Sequence, residues 1–375
     1  MRHWRPVAIM LAALTAALTV QACSSTSDSS AGKNCGKNGN PDFSGRTITV
    51  QGWGGAVAEA IHKAYYVPFE ENTCAKIKVV EVTGQTPALL KAAHAAGKAR
   101  FDMIDAWGSP AIFQMSNDQL LAPLGPAKVP GLTGLVPGAD SGVGVGHLLS
   151  IMVAGYIQKN DVKPLTSVAD FFNVKDFPGR RAVSNWGDDE RNIAAALLAD
   201  GVPRDQLYPL DMNRAKKVWD RVKPSVKLWY QSGSELVSAM VDERIDYCLC
   251  WDGRAQQAMA KNPKWTYTLQ GGYLGFENMA MVNGTKKADV VQALLGYFTD
   301  PKRQAVFYQN FQVTPTNPKF IDYLPAGFMT PEKLKFVPTT EENKNKWWTP
   351  TLAELKEIAK VKTQLEEEWA TWISR

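Results

Sequence analysis

Between residues 45 and 109 the chain alternates short β-branched runs with helically patterned segments. "GRTITVQGW" ends in Gly and Trp, and "GAVAEAIHKAYYVPFEENT" follows with apolar residues at helical spacing. "AKIKVVEV" (75–82) is a second extended run, "TPALLKAAHAAGKA" a second helix and "FDMIDAWGS" (101–109) a third strand. This β-α-β-α-β series predicts a mostly parallel sheet covered by helices. A similar series resumes with strand 180–186, helices 189–200 and 212–222, strand 227–230, helix 234–243 and strand 244–251. Two α/β lobes in tandem are expected, because roughly 350 residues exceed one comfortable hydrophobic core.

The N-terminus carries Arg2, His3 and Arg5, no acid, and then the apolar run "PVAIMLAALTAALTV". That run suits the h-region of a secretory signal and is too short to span a bilayer. "VQAC" resembles a bacterial lipobox, which implies cleavage before Cys23 and lipidation of its sulfur; ordinary cleavage after Ala22 is the alternative. Residues 23–45, opening "CSSTSDSSAGKNCGKNGN", read as a flexible polar tether, too poor in apolar side chains to pack. The chain is therefore expected to be exported, to the periplasm or the outer face of the cell membrane, and held there by lipid. Formal charge is +5, two of which leave with Arg2 and Arg5, and no basic tract is present, which argues against nucleic acid.

Of the five cysteines, Cys35 lies on the tether leading to the first strand and Cys74 just before the second. Parallel neighbours start at the same sheet edge, so these two are placed to meet in a disulfide, the alternative being two free thiols. Cys248 and Cys250 share one face of a strand with diverging Cβ atoms and read as small buried apolar residues.

Catalytic motifs are missing. There is no H-E-x-x-H, G-x-S-x-G, P-loop or C-x-x-C. His62 and His94 fall in predicted helices and His147 in a Gly-rich segment without a second ligand at metal spacing, so neither a metal nor a cofactor is expected. What recurs is tryptophan at strand ends: Trp53, Trp107, Trp186 and Trp251, in "GWGG", "AWGS", "NWGDDE" and "CWDGR". Ligands of open α/β sheets sit outside the carboxyl ends of the strands. Aromatic faces gathered there beside acids such as Asp252 suit an organic cation, each cation–π contact contributing about 0.5–2 kcal/mol; packing between lobes is the alternative role.

In the order and spacing of "VQGWGGAVAEAIHKAYYVPFEENT", "DMIDAWGSPAIFQMSNDQLLAPL", "PLTSVADFFNVKDFPGRRAV", "SGSELVSAMVDERIDYCLCWDGRA" and "ENMAMVNGTKKADVVQALLGYFTDPKRQAVF", the chain resembles bacterial extracellular solute-binding proteins of ABC importers, in particular the spermidine/putrescine-binding branch. The resemblance implies a type II periplasmic-binding-protein-like α/β fold: two lobes joined by a hinge, a ligand cleft between them, and delivery of the solute to membrane permease subunits without catalysis. Crossings near 148–153, 273–278 and 320 would make lobe 1 of residues 46–150 and 276–320, and lobe 2 of 151–275 and 321–375, after a signal in 1–22. By the same resemblance Trp53 stacks on the ligand, Trp107 and Ser109 line the cleft, Trp251 matches the aromatic of a "W-N-G" segment, Glu277 pairs with a ligand amine, and Thr316 approaches the cleft. Asp188 matches an acid of a family loop, its other role being to cap the helix that follows.

Two positions depart from the polyamine pattern. Arg191 stands where a second acid is expected, and Gly275 where a second ring is. An arginine facing the cleft suits a carboxylate or phosphonate. The expectation is therefore a monomeric receptor for a small amine-containing, polyamine-like solute. The alternative is a zwitterionic opine, amino acid or aminophosphonate, with amine at Glu277 and anion at Arg191. Arg254 is a further candidate. Ser232 and Ser234 precede a helix, whose N–H groups favour anionic oxygens, or simply cap it. A secreted α/β hydrolase using the acids of "GDDER" or "WDGR" is the rival from another class, and an Fe³⁺ site is disfavoured because the tyrosine and histidine ligands such sites use are lacking and the adjacent tyrosines of "AYYV" (64–67) sit inside a predicted helix.

Overall fold

The computed structural model describes residues 34–375 apart from 83–85, 107, 126 and 186–189. Nine strands form one sheet: β1 (Thr47–Gly52), β2 (Lys76–Glu81), β3 (Met103–Ala106), β4 (Val145–Ile157), β5 (Arg181–Ser184), β6 (Val226–Tyr230), β7 (Tyr247–Trp251), β8 (Trp265–Met281) and β9 (Trp347–Trp348). Their order is β2-β1-β3-β8-β4-β7-β5-β6, with β9 on β8. β1 runs parallel to β2 and β3, and β5 parallel to β6 and β7, as the two alternating series predict.

What joins these two parallel groups is antiparallel. β4 and β8 pair with each other and, at their flanks, with β7 and β3. Strands of 13 and 17 residues are well beyond the usual five or six and extend through both groups. Register shifts between Gly146 and Leu148 and between Met152 and Ala154 interrupt the β4–β8 ladder. "VGHLLSIMVAGYI" is buried along its length except at Tyr156, so it lacks the alternation that marks a half-exposed strand.

Separate apolar cores pack on the two groups. Ile48, Val50, Tyr65, Phe69, Leu294 and Phe298 fill one face of the first, and Leu90, Ile104, Ile112 and Phe113 a further cluster beside it. The second group surrounds Ile151, Val183, Leu197, Trp219, Leu236 and Tyr247. Helix Met212–Val222, found at the bounds read from the sequence, buries Met212, Ala215, Val218, Trp219 and Val222, and Asp211 caps it by accepting the Arg214 N–H.

The 22-residue helix Leu352–Ile373 opens on a capping box made by Thr351 and Glu354. Leu355, Ile358 and Ala359 join the core of the first group, whereas Leu365, Trp369 and Trp372 join the core of the second. The sequence places 321–375 wholly in the second lobe; the helix, about 33 Å long at 1.5 Å per residue, lies along both. Trp219 meets Trp369 edge-on at 5.5 Å and donates its indole N–H to the Asn192 carbonyl. Trp369→Ala is expected to cost about 3–5 kcal/mol of stability in a urea titration, because its ring is fully buried between these aromatics.

Cys35 and Cys74 are bonded, their Cα atoms 5.5 Å apart, which ties the segment before β1 to the end of the helix that leads into β2. Cys248 and Cys250 are buried on β7 with their sulfurs 2.6 Å apart. Gly155 faces them across the ladder: a Cβ there would lie 2.7 Å from the Cys248 sulfur. Gly155→Ala should therefore overpack this layer and lower the denaturation midpoint by the equivalent of about 1–3 kcal/mol. Among the described residues no helix is long and apolar enough to cross a membrane.

Candidate functional site

Residues that close the strands bring the site together. Trp53 follows β1 and is half-buried, and Trp251 is the last residue of β7. Trp107 and Asp188 lie outside the described residues, as do Trp186 and Cys23, and Ser109 opens the helix Ser109–Asn117 with its side chain not described.

Arg191, in the first turn of helix Glu190–Ala199, is buried rather than solvated, with 7% exposure. Its guanidinium stands 4.0 Å from the ring centre of Trp251 and 5.3 Å from that of Tyr273, and Nη1 is 3.5 Å from Ser150 Oγ. The missing side chains of two glycines make room for it. A Cβ on Gly275 would lie 3.5 Å from the guanidinium, and one on Gly108, whose φ is 64°, 3.6 Å. Tyr273 in turn donates to Glu190 Oε1 at 2.9 Å, so the first turn of this helix is held against β8.

Glu277 lies on β8 opposite Leu148 of β4, at 8% exposure. Burial pushes its carboxyl up to about 8, and the Asp105 charge adds to this, while Arg191 and Arg254 pull it down. Arg254 is half-buried and donates to Gln257 Oε1 at 3.0 Å; burial lowers its pKa, against the opposing pull of Glu277.

Behind Glu277 stand two groups that the sequence does not bring forward. Asp105 of β3 and His147 of β4 are 1% and 0% exposed, and one ligand atom each of Asp105, His147 and Glu277 lies within 4.8 Å of the others. His147 Nε2 is 3.7 Å from Asp105 Oδ1. Among the described residues neither Asp105 oxygen and neither His147 nitrogen has a hydrogen bond. The isolation that the sequence suggests for His147 is thus removed by the fold, because β8 lies between β3 and β4 and places three residues distant in sequence side by side.

Three expected contacts have other roles in the structure. Asp252 is buried at the start of helix Asp252–Lys261 and accepts the Ile151 N–H at 3.2 Å, linking that helix to the middle of β4; burial raises its carboxyl to about 7. Thr316 is fully buried, donates to the Gly146 carbonyl at 2.7 Å and accepts from Gln304 Nε2 at 3.2 Å, so its hydroxyl fixes the 312–318 turn to β4 instead of meeting a solute. Ser232 is the exposed cap of helix Gly233–Val241, accepting the Glu235 N–H at 3.2 Å. A cavity of about 290 Å³ lined by Val168, Leu198, Arg204, Gln270 and Trp348 includes none of the site residues.

The arrangement sets the buried Arg191 guanidinium and the buried Glu277 carboxyl beside an indole face, at the junction of two lobes. It can bind and orient a small charged solute, and among the described residues of the site no nucleophile stands beside a base.

A family described as bacterial extracellular solute-binding protein matches residues 64–334. The gamma-aminobutyric acid-binding protein of Pseudomonas aeruginosa is 27% identical over 285 residues, 75% of this chain and 80% of that protein. An ABC transporter substrate-binding protein from Bradyrhizobium japonicum superposes with a TM-score of 0.76 at 27% identity, covering 88% of this chain and 99% of that one. The binding protein AgtB of A. tumefaciens, in complex with agropinic acid, gives 0.69 at 26% identity over 88% and 99% of the two chains.

Proposed function

Because the chain belongs to the bacterial extracellular solute-binding proteins, exported receptors that hand small molecules to ABC permeases and are not enzymes, we propose that its own solute is a small zwitterion carrying an amine and an acidic group. The observation that carries this reading is Arg191, buried over Trp251 in the place that Gly275 leaves open. The solute's carboxylate pairs bidentately with that guanidinium, its ammonium with Glu277, and Trp251 covers the chain between them. A polycation would share Glu277 but meet two guanidiniums, Arg191 and Arg254, with its other end. Gamma-aminobutyric acid and agropinic acid, in the names of two similar proteins, both carry an acid group.

A solute that touches both lobes stabilises the closed arrangement over the open one, which is the state a permease can read. Cys23 carries the lipid that keeps the receptor at the membrane, and Cys23→Ser should release the protein to the soluble fraction. A thermal-shift screen of residues 24–375 against 4-aminobutyrate, opines, amino acids, aminophosphonates, putrescine and spermidine tests the solute class. At a hundredfold excess over Kd a bound solute adds about 2.7 kcal/mol. A shift with acid-bearing amines is expected; a shift with polyamines alone would overturn the zwitterion.

A further inference from the structure

We propose that Asp105, His147 and Glu277 form a three-acceptor cage for a primary ammonium group, so that the protein selects –NH₃⁺ over methylated nitrogen. The inference rests on the reading of an amine-bearing solute, and it holds whether or not Arg191 takes that solute's carboxylate.

Asp105 and His147 are at most 1% exposed, and their polar side-chain atoms have no hydrogen bond among the described residues. Buried polar groups are rarely left so, and the cost of an unmatched carboxylate is high. The three acceptor atoms lie within 4.8 Å of one another, around one point beside the only member with appreciable exposure, Glu277. An ammonium nitrogen with tetrahedral hydrogen bonds of about 2.9 Å spans acceptors about 4.7 Å apart, so the 3.7 Å between His147 Nε2 and Asp105 Oδ1 would have to open or be met at bent angles. Its three protons then find one acceptor each on Asp105, His147 and Glu277.

A divalent transition metal, whose bonds of about 2.1 Å draw its ligands to about 3.0–3.5 Å apart, is the competing occupant, and the 3.7 Å between His147 Nε2 and Asp105 Oδ1 is near that spacing. A trimethylated nitrogen has no proton to give, and its methyl groups hold acceptors too far away for this spacing. Such cations are held by aromatic faces, not by converging acceptors.

Calorimetric titration of residues 24–375 with 4-aminobutyrate, putrescine and the fully N-methylated form of each tests the cage, on the wild type and on Asp105→Asn and His147→Gln. Melting curves without solute confirm that both variants fold. The expected result is at least about hundredfold weaker binding of the methylated partner, with Asp105→Asn losing at least about tenfold for the primary amine and little for the methylated one. Putrescine bound with this discrimination, and 4-aminobutyrate not bound, would keep the cage and remove the zwitterion reading. Equal binding of methylated and primary amines, or discrimination unchanged in both variants, would overturn the cage and leave the zwitterion standing. Stoichiometric binding of Zn²⁺ or Mn²⁺ that Asp105→Asn abolishes, without an effect on amines, would overturn it in favour of a metal site. Binding of neither amine overturns both readings.

Discussion

Replacing Arg191 by Glu should weaken binding of 4-aminobutyrate by about 2–5 kcal/mol, or about 30-fold to a few thousandfold in Kd, and improve binding of putrescine. The guanidinium is buried over Trp251, so its partner carboxylate would lose a desolvated charge pair and meet a like charge. Arg191→Lys keeps the charge without the planar fork and should lose less. Gly275 sharpens the test, because a ring there occupies the guanidinium's place. The double variant Arg191→Glu, Gly275→Trp places an acid and a ring where the resemblance to polyamine binders expects them, and its preference should move furthest toward putrescine. Calorimetry with both solutes on all three variants measures the reversal; unchanged affinity for 4-aminobutyrate in Arg191→Glu would place the solute elsewhere.

The second large effect is on pH. Glu277 is raised from an ordinary 4.5 to about 8, first by burial and then by Asp105, so the empty receptor holds it mostly protonated at neutral pH. A bound ammonium requires the carboxylate, and binding therefore releases a proton below pH 8. Affinity should rise about tenfold per pH unit between pH 5 and 8 and level off above it. Glu277→Gln should remove that slope and weaken binding at pH 8.

Stability without solute has the opposite dependence. The folded protein binds more protons than the unfolded chain between pH 4.5 and 8, so the contribution of Glu277 is present below pH 4.5 and is lost as pH rises through 8. Asp252, raised to about 7, acts in the same direction over pH 3.8–7 and supplies the slope that remains in Glu277→Gln. Urea midpoints of wild type and Glu277→Gln across this range measure both.

Much of the architecture was legible because local pattern and tertiary role coincide. Strand runs alternating with amphipathic helices announced both parallel groups, and Met212–Val222 shows its buried face at helical spacing. β4 and β8 were not read as strands: burial on both faces erases the period of two along β4 and the second half of β8, whereas Trp265, Tyr267 and Leu269, buried between Thr266, Thr268 and Gln270, do alternate. At the site, Trp251, Arg191 and Glu277 were marked by resemblance and by departure from it. Ser232 was marked by its position before a helix and Thr316 by resemblance, and neither signal distinguishes a cap or a buried turn hydroxyl from a solute contact.

Asp105 and His147 needed the sheet order. Yet a signal exists: "MIDA", "VGHLLSIM" and "LGFENMAM" each carry one ionisable residue in an otherwise apolar run. A buried strand tolerates such a residue only where something compensates it.

The most direct test of the account is a competition titration of residues 24–375 at pH 8, with 4-aminobutyrate and putrescine in the same cell. Stoichiometric binding of 4-aminobutyrate that putrescine does not displace is the predicted result. Putrescine displacing it, or binding where 4-aminobutyrate does not, would contradict the pairing of a solute carboxylate with Arg191.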